Sequence, residues 1–296
     1  MHDHSNCDHH KPASYNTAFA VGVTLNTAFV VGEIIFGISS KSLSLLADAG
    51  HNVGDVLGLL MGWGAAYLAT RPPTVRRTYG YRRSSILAAL GNSSLLLVAV
   101  GAIAWEAVQR LSHPVPIPGS VVMGVAWIGI LVNGGTALMF VRGRKDDLNI
   151  EGAYTHMLMD AIVAFGVVVA GFAMRITHAW WIDPVSSLVI VGLITMGSWN
   201  LLRRSFDLAI DAVPQGVDPL AVRDYLMAQP GVKGVSDLHI WAMSTTETAL
   251  TAHLVMPAGC EDDFVPDLAH ELIHEFSIAH STIQIDRNFG SCSLTV

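Results

Sequence analysis

The sequence predicts a membrane protein in two parts: a transmembrane domain of six α-helices and, after it, a small α+β domain in the order αββαβ. Three observations carry this. Hydrophobic residues make up 51% of the 296 residues and charged residues only 14%, with a mean hydropathy of +0.46, whereas soluble domains are about a quarter charged. Six stretches are long and apolar enough to cross a bilayer core, which takes about 20 residues as a helix. The charge balance then changes: from Ser205 onward 13 acidic residues stand against 3 basic ones, compared with 11 and 14 before it, so the last third reads as an acidic soluble module. The expected divisions are an N-terminal tail over 1–15, the six-helix domain over 16–204 and the soluble domain over 205–296.

The spans fall at about 16–37, 43–70, 86–111, 118–141, 151–176 and 181–203, separated by short polar connections. No basic region, apolar core and small-residue cleavage site open the chain, so no cleavable signal is expected and the first apolar run is a span. Arg71, Arg76, Arg77, Arg82, Arg83, Arg142, Arg144, Lys145, Arg203 and Arg204 fall on one side of the spans, and Lys41, Arg110 and Arg175 on the other. The side richer in Lys and Arg is the cytoplasmic one. Both termini are therefore expected in the cytoplasm, with Trp180 and Trp181 as aromatic anchors at the outer interface. The cysteines Cys7, Cys260 and Cys292 match no disulfide framework and suit a reducing compartment.

In the tail, Asp218-Pro219 supplies an N-cap followed by proline at the first helical position, for a helix to about Ala228. Pro230-Gly231 ends it. Two strands are expected over 236–243 and 248–256, a helix over 264–276 and a last strand over 282–286. A core of this size is modest, so a partner copy or a metal is expected to help hold it.

Ionisable residues at membrane depth are the strongest functional signal, because each costs at least roughly 2.5–3.5 kcal/mol at the centre of a spanning helix. The second span carries Asp48, His51 and Asp55; the fifth carries His156 and Asp160. His-x-x-x-Asp puts the two side chains one turn apart on a single helical face. One such pair would serve equally as a packing device between helices. The same spacing in two spans points instead to a metal or proton pathway, since two imidazoles and two carboxylates form a zinc environment whose negative charge one divalent cation balances. An empty site is neutralised by protons, so metal entry expels them. Asn26, Glu33, Asn92 and Asn133 read as cross-helix hydrogen-bonding groups, Asp48 as either an ion guide or an interfacial residue, and Gly58 with Gly62 as a close helix contact.

Taken together, SLSLLADAGHNVGD, TYGYRRSSILAALGN, LNIEGAYTHMLMDA, WWIDPVSSLVI, DLHIWAM and HSTIQID, in this order along nearly the whole chain, resemble the cation diffusion facilitator family, and in it the zinc-transporting branch. The resemblance implies a homodimer with a ferredoxin-like cytoplasmic domain and alternating access coupled to proton antiport. It implies that His51, Asp55, His156 and Asp160 are the transport ligands, that zinc is the cargo ahead of cadmium or cobalt, and that zinc is also bound as a regulatory ion. Relatives that bind an ion in the loop between spans two and three do so through Asp and His, which Thr70 to Tyr81 lacks, so no metal is expected there. Nor does the loop between spans four and five carry a histidine-rich tract; the N-terminal His2, His4, His9 and His10 around Cys7 are the candidate replacement.

In the tail, His239 and His253 sit on adjacent expected strands and His280 with Asp286 flank the last one. By position these four resemble the family's cytoplasmic metal site, which would draw two acidic modules together when metal rises. His270 and His274 share a helical face and read as a solvated surface. Cys7, His9 and Cys292 could close a further thiolate site between subunits, or simply lie in flexible tails.

The reading is thus an exporter of zinc in a bacterial inner membrane, exchanging it for protons, with no nucleic-acid partner. An intramembrane metalloenzyme would need an open coordination position and a pattern such as His-Glu-x-x-His, which is absent. A membrane-tethered metal sensor signalling through its tail is the alternative, and it would not need ligands at the bilayer midplane.

Overall fold

The computed structural model describes residues 16–141 and 148–288. The N-terminal tail with Cys7 and its histidines, the connection over 142–147 and Cys292 lie outside them. Six long helices come first: α1 (Asn16–Ser40), α2 (Leu43–Ala69), α3 (Ser84–Ser112), α4 (Gly119–Phe140), α5 (Leu148–Thr177) and α6 (Ile182–Ala209). They are followed by α7 (Pro219–Met227), β1 (Gly234–Ala242), β2 (Thr248–Val255), α8 (Phe264–Phe276) and β3 (Ile278–Asp286). Among the described residues, Ser84–Ser112, Gly119–Phe140, Tyr154–Thr177 and Ile182–Ala209 are long and apolar enough to cross a membrane, and Thr24–Ser40 is a shorter apolar helix. The chain divides into two compact units, 1–53 with 99–194 and 54–98 with 195–296, so that α2, α3 and α6 contribute to both.

In the first unit, α4 and α5 approach backbone to backbone. A Cβ on Gly119 would stand 2.6 Å from the carbonyl oxygen of Gly171, and one on Gly171 would stand 3.0 Å from that of Gly119; only glycine at both places allows the contact. On α4, Gly129 leaves room for the ring of Phe29 from α1, which a Cβ there would meet at 2.8 Å. The start of α2 is fixed from α6. Asp183, fully buried at the head of α6, accepts from Ser42 Oγ at 2.6 Å, Ser44 Oγ at 2.7 Å and the Leu43 amide at 2.8 Å. A carboxylate there satisfies an orphan donor of the first turn and lies at the positive end of the helix dipole.

In the second unit, α2 and α3 close up where Gly58 faces Asn92, whose Nδ2 a Cβ on Gly58 would meet at 2.7 Å; Gly62 has open space around it. The tail opens with Asp218 capping α7 through the Leu220 amide at 2.9 Å. The sheet order is β1-β2-β3, with β1 and β2 antiparallel and β2 and β3 parallel. Val222, Leu226, Leu268 and Leu272 of the helices pack with Ile240, Leu250, Ala252 and Leu254 of the strands in one buried core. The helices therefore cover one face of the sheet, and strand alternation puts His239 and His253 on the other. The expected order αββαβ is observed, with β3 starting four residues earlier than expected, at Ile278.

Candidate metal sites

Helical periodicity in α2 and α5 brings His51, His156 and Asp160 together. One donor atom from each lies within 4.8 Å of the others. Asp160 is 4% exposed and stands between the two imidazoles: His51 Nε2 is 3.6 Å from one carboxylate oxygen and His156 Nε2 is 3.6 Å from the other. These separations are too long for hydrogen bonds. Two atoms bound at about 2.0–2.2 Å to one tetrahedral ion lie about 3.4 Å apart, so the spacing suits ligands of a shared cation. The rings meet edge to face, with centroids 5.8 Å apart. Asp55 follows His51 by one turn of α2 and is half-buried.

A second polar layer lies beside the first. Glu33 of α1 is fully buried, Asp48 is 4% exposed and Asn52 is 1% exposed. Asn52 Nδ2 donates to Glu33 Oε2 at 3.3 Å. Sequence reading treated Glu33 and Asp48 separately and passed over Asn52; the signal available was three polar residues at membrane depth within a turn of His51 or on the neighbouring span.

On the open face of the tail sheet the structure joins three of the four expected residues through one that was not foreseen. Asp237 is 3.0 Å from His239 Nε2 and 3.6 Å from His253 Nε2. His253 Nδ1 is 3.0 Å from Asp286, whose other oxygen accepts from Gln284 Nε2 at 2.8 Å. The Gln284 amide, and after it His253, hold the Asp286 carboxyl below its ordinary range. Asp237 reaches its place because β1 bulges between Ser236 and His239 and takes φ +52 at Asp237; a bulge re-aims a side chain. His280 lies elsewhere. It pairs with Ala249, four residues along β2 from His253, about 13 Å at 3.3 Å per residue, and its ring meets Tyr79 edge-on at 6.1 Å.

Still within the second unit, the turn between β1 and β2 reaches the start of α3. Arg82 pairs with Glu247 at 2.8 Å and the Thr245 amide donates to Ser85 Oγ at 3.1 Å; Arg83 pairs with Asp211 at the end of α6. Between this turn and Gly58, Gly62, Ala66 and Asn92 lies a cavity of about 660 Å³. Its floor begins three residues beyond Asp55 on α2.

Residues 19–208 match the family model of the cation efflux transmembrane domain, and residues 214–288 match that of the cation efflux protein cytoplasmic domain. The metal cation efflux system protein CzcD of Cupriavidus metallidurans is 32% identical over 280 residues, covering 94% of this chain and 89% of its own. The zinc transporter ZitB of Escherichia coli is 32% identical over 291 residues, covering 96% and 92%. A Bacillus subtilis protein named as a cadmium, cobalt and zinc/H(+)-K(+) antiporter is 28% identical over 283 residues, covering 94% and 91%. A solved metal-bound C-terminal domain of the CzcD transporter is 38% identical over 24% of this chain and 99% of its own, with a TM-score of 0.21. With both family models matched in order and relatives of 32% identity along nearly its whole length, the chain belongs to the cation efflux family, the cation diffusion facilitators, which are integral membrane metal transporters.

Proposed function

We propose that this protein exports zinc from the cytoplasm in exchange for protons, with cadmium and cobalt as poorer cargo, and that His51, Asp55, His156 and Asp160 form a tetrahedral transport site within six spans. The observation that carries the proposal is the placing of Asp160: a carboxylate 4% exposed, on apolar helices, with an imidazole nitrogen facing each of its oxygens. Two histidines and two aspartates suit zinc by ligand type and balance its charge. Zinc needs the imidazoles neutral and the carboxylates ionised, so each ion that binds displaces protons, and protons entering from the other side release it. The names of the relatives agree with such cargo: one is a zinc transporter, and another a cadmium, cobalt and zinc/H(+)-K(+) antiporter. The cavity that starts at Gly58, three residues beyond Asp55, is the proposed cytoplasmic approach to the site.

The tail is proposed to be a ferredoxin-like cytoplasmic domain that pairs two protomers and holds regulatory zinc between β1, β2 and β3. His239, His253 and Asp286 are its ligands, with Asp237 in the place first given to His280. Residues 1–15, 16–204 and 205–296 are the proposed divisions, both termini face the cytoplasm, and the membrane is a bacterial inner membrane.

The test is zinc uptake into proteoliposomes under an imposed proton gradient. Wild-type protein should move zinc and the isosteric Asp160→Asn should not. Folded wild-type protein that binds zinc in its tail yet moves none would overturn the transporter and leave the sensor.

A further inference from the structure

Helix α8 carries a pair of groups that the transport account does not use. His270 and His274 are both exposed, their Nε2 atoms are 3.2 Å apart, and their ring centroids are 4.4 Å apart. At about 100° per residue they project opposite Leu268 and Leu272, which face the core. They therefore lie on the solvent side of the helix layer, while His253 lies on the opposite face of the sheet, so the two groups share no ligand.

With one ring donating Nε2–H to the other the contact is a hydrogen bond, and a metal ion can take the place of the shared proton. A metal bound at about 2.0–2.1 Å by both nitrogens, with an angle between square and tetrahedral, sets them about 2.9–3.4 Å apart. The observed separation falls inside that interval, so both rotamers already form a chelating bite. The surroundings favour a cation as well. The helix, FVPDLAHELIHEF, has Asp267, Glu271 and Glu275 and no Lys or Arg. The pair occupies its last two turns, where the negative end of the helix dipole attracts positive charge. Glu271 is engaged by Tyr225 Oη at 2.7 Å, which leaves Asp267, one turn before His270 on the same side, as the carboxylate that a change of rotamer would bring in as a third ligand.

We propose that His270 and His274, assisted by Asp267, form a divalent transition-metal site on the outer face of α8, separate from the strand cluster and from the membrane residues. Imidazole donors select zinc or, more tightly, copper(II) over magnesium or calcium. Water fills the remaining positions, so the ion exchanges readily. The inference stands on α8 alone and does not depend on the direction or coupling of transport.

The experiment uses full-length protein in detergent, carrying Asp160→Asn and His253→Ala to disable the other two clusters, and zinc as the probe. Equilibrium dialysis should show a remaining class of bound zinc whose affinity drops at least tenfold on adding His270→Gln or His274→Gln, and more weakly on Asp267→Asn. Binding unchanged by His270→Gln and His274→Gln together would overturn the site and leave a proton-bridged histidine pair. A second reading needs no variant: in wild-type protein, zinc should protect both histidines from carbethoxylation by diethyl pyrocarbonate, read by peptide mass spectrometry. Equal modification with and without zinc contradicts the proposal.

Discussion

Asp160 shows how one residue gathers a site. Its carboxylate is buried, faces an imidazole on each oxygen, and turns two helices into one constellation. Asp160→Asn keeps the shape and removes the charge, so zinc affinity at the membrane site should fall at least about a hundredfold, equivalent to about 2.7 kcal/mol, with the melting point in detergent little changed. Asp183 is the opposite case, a buried carboxylate whose work is structural. Asp183→Ala leaves the donors of Ser42, Leu43 and Ser44 unmatched, and should cost about 2–4 kcal/mol, read as a lowered unfolding midpoint. His51, Asp55, His156 and Asp160 stood out in the sequence because their spacing marks a shared helical face in each span, and the structure gathers His51, His156 and Asp160; their role as ligands is the proposal. The role of Asp183 was not legible in the sequence, since its partners lie more than a hundred residues earlier in the chain.

At the scale of elements, helices were read more completely than strands. Long apolar runs marked α1 to α5 within three residues, α6 runs six residues past its expected end to Ala209, and Asp218-Pro219 marked α7. The close approach of α4 and α5 was not legible, because Gly119 and Gly171 look like any membrane glycines until both are placed. Gly119→Ala should cost about 1–3 kcal/mol and lower the yield of folded protein, because the added Cβ meets a backbone carbonyl that cannot step aside. Gly134→Ala, with nothing within 4 Å, should be neutral in the same assay. On the sheet, the even spacing of His280 and Asp286 correctly put them on one face, yet parallel register sets His280 beside Ala249, away from His253. The bulge that delivers Asp237 carries no sequence signature of its own. Zinc titration of the tail should therefore drop at least tenfold in affinity for Asp237→Asn and stay within about twofold for His280→Ala; the reverse ranking would restore the first assignment.

In the whole molecule, protons compete with metal at both proposed sites. Asp286 has its carboxyl lowered by Gln284 and then His253, so the stability it contributes is present above the ordinary carboxylate value of 3.8 and is lost only as pH falls through the lowered one. Zinc also needs the tail imidazoles neutral, so protons compete with it for their nitrogens. Zinc binding by the tail should weaken as pH falls from 7.5 to 5.5 while the domain stays folded, checked by zinc titration alongside circular dichroism. At the membrane site the same competition is the proposed engine of transport. The most direct measurement records zinc and protons together, with one dye for each inside proteoliposomes, as zinc is added outside without any imposed gradient. The account predicts that zinc entry drives protons out in fixed proportion and that both signals vanish in Asp160→Asn. Zinc entering with no proton movement, or entering equally through Asp160→Asn, would contradict it.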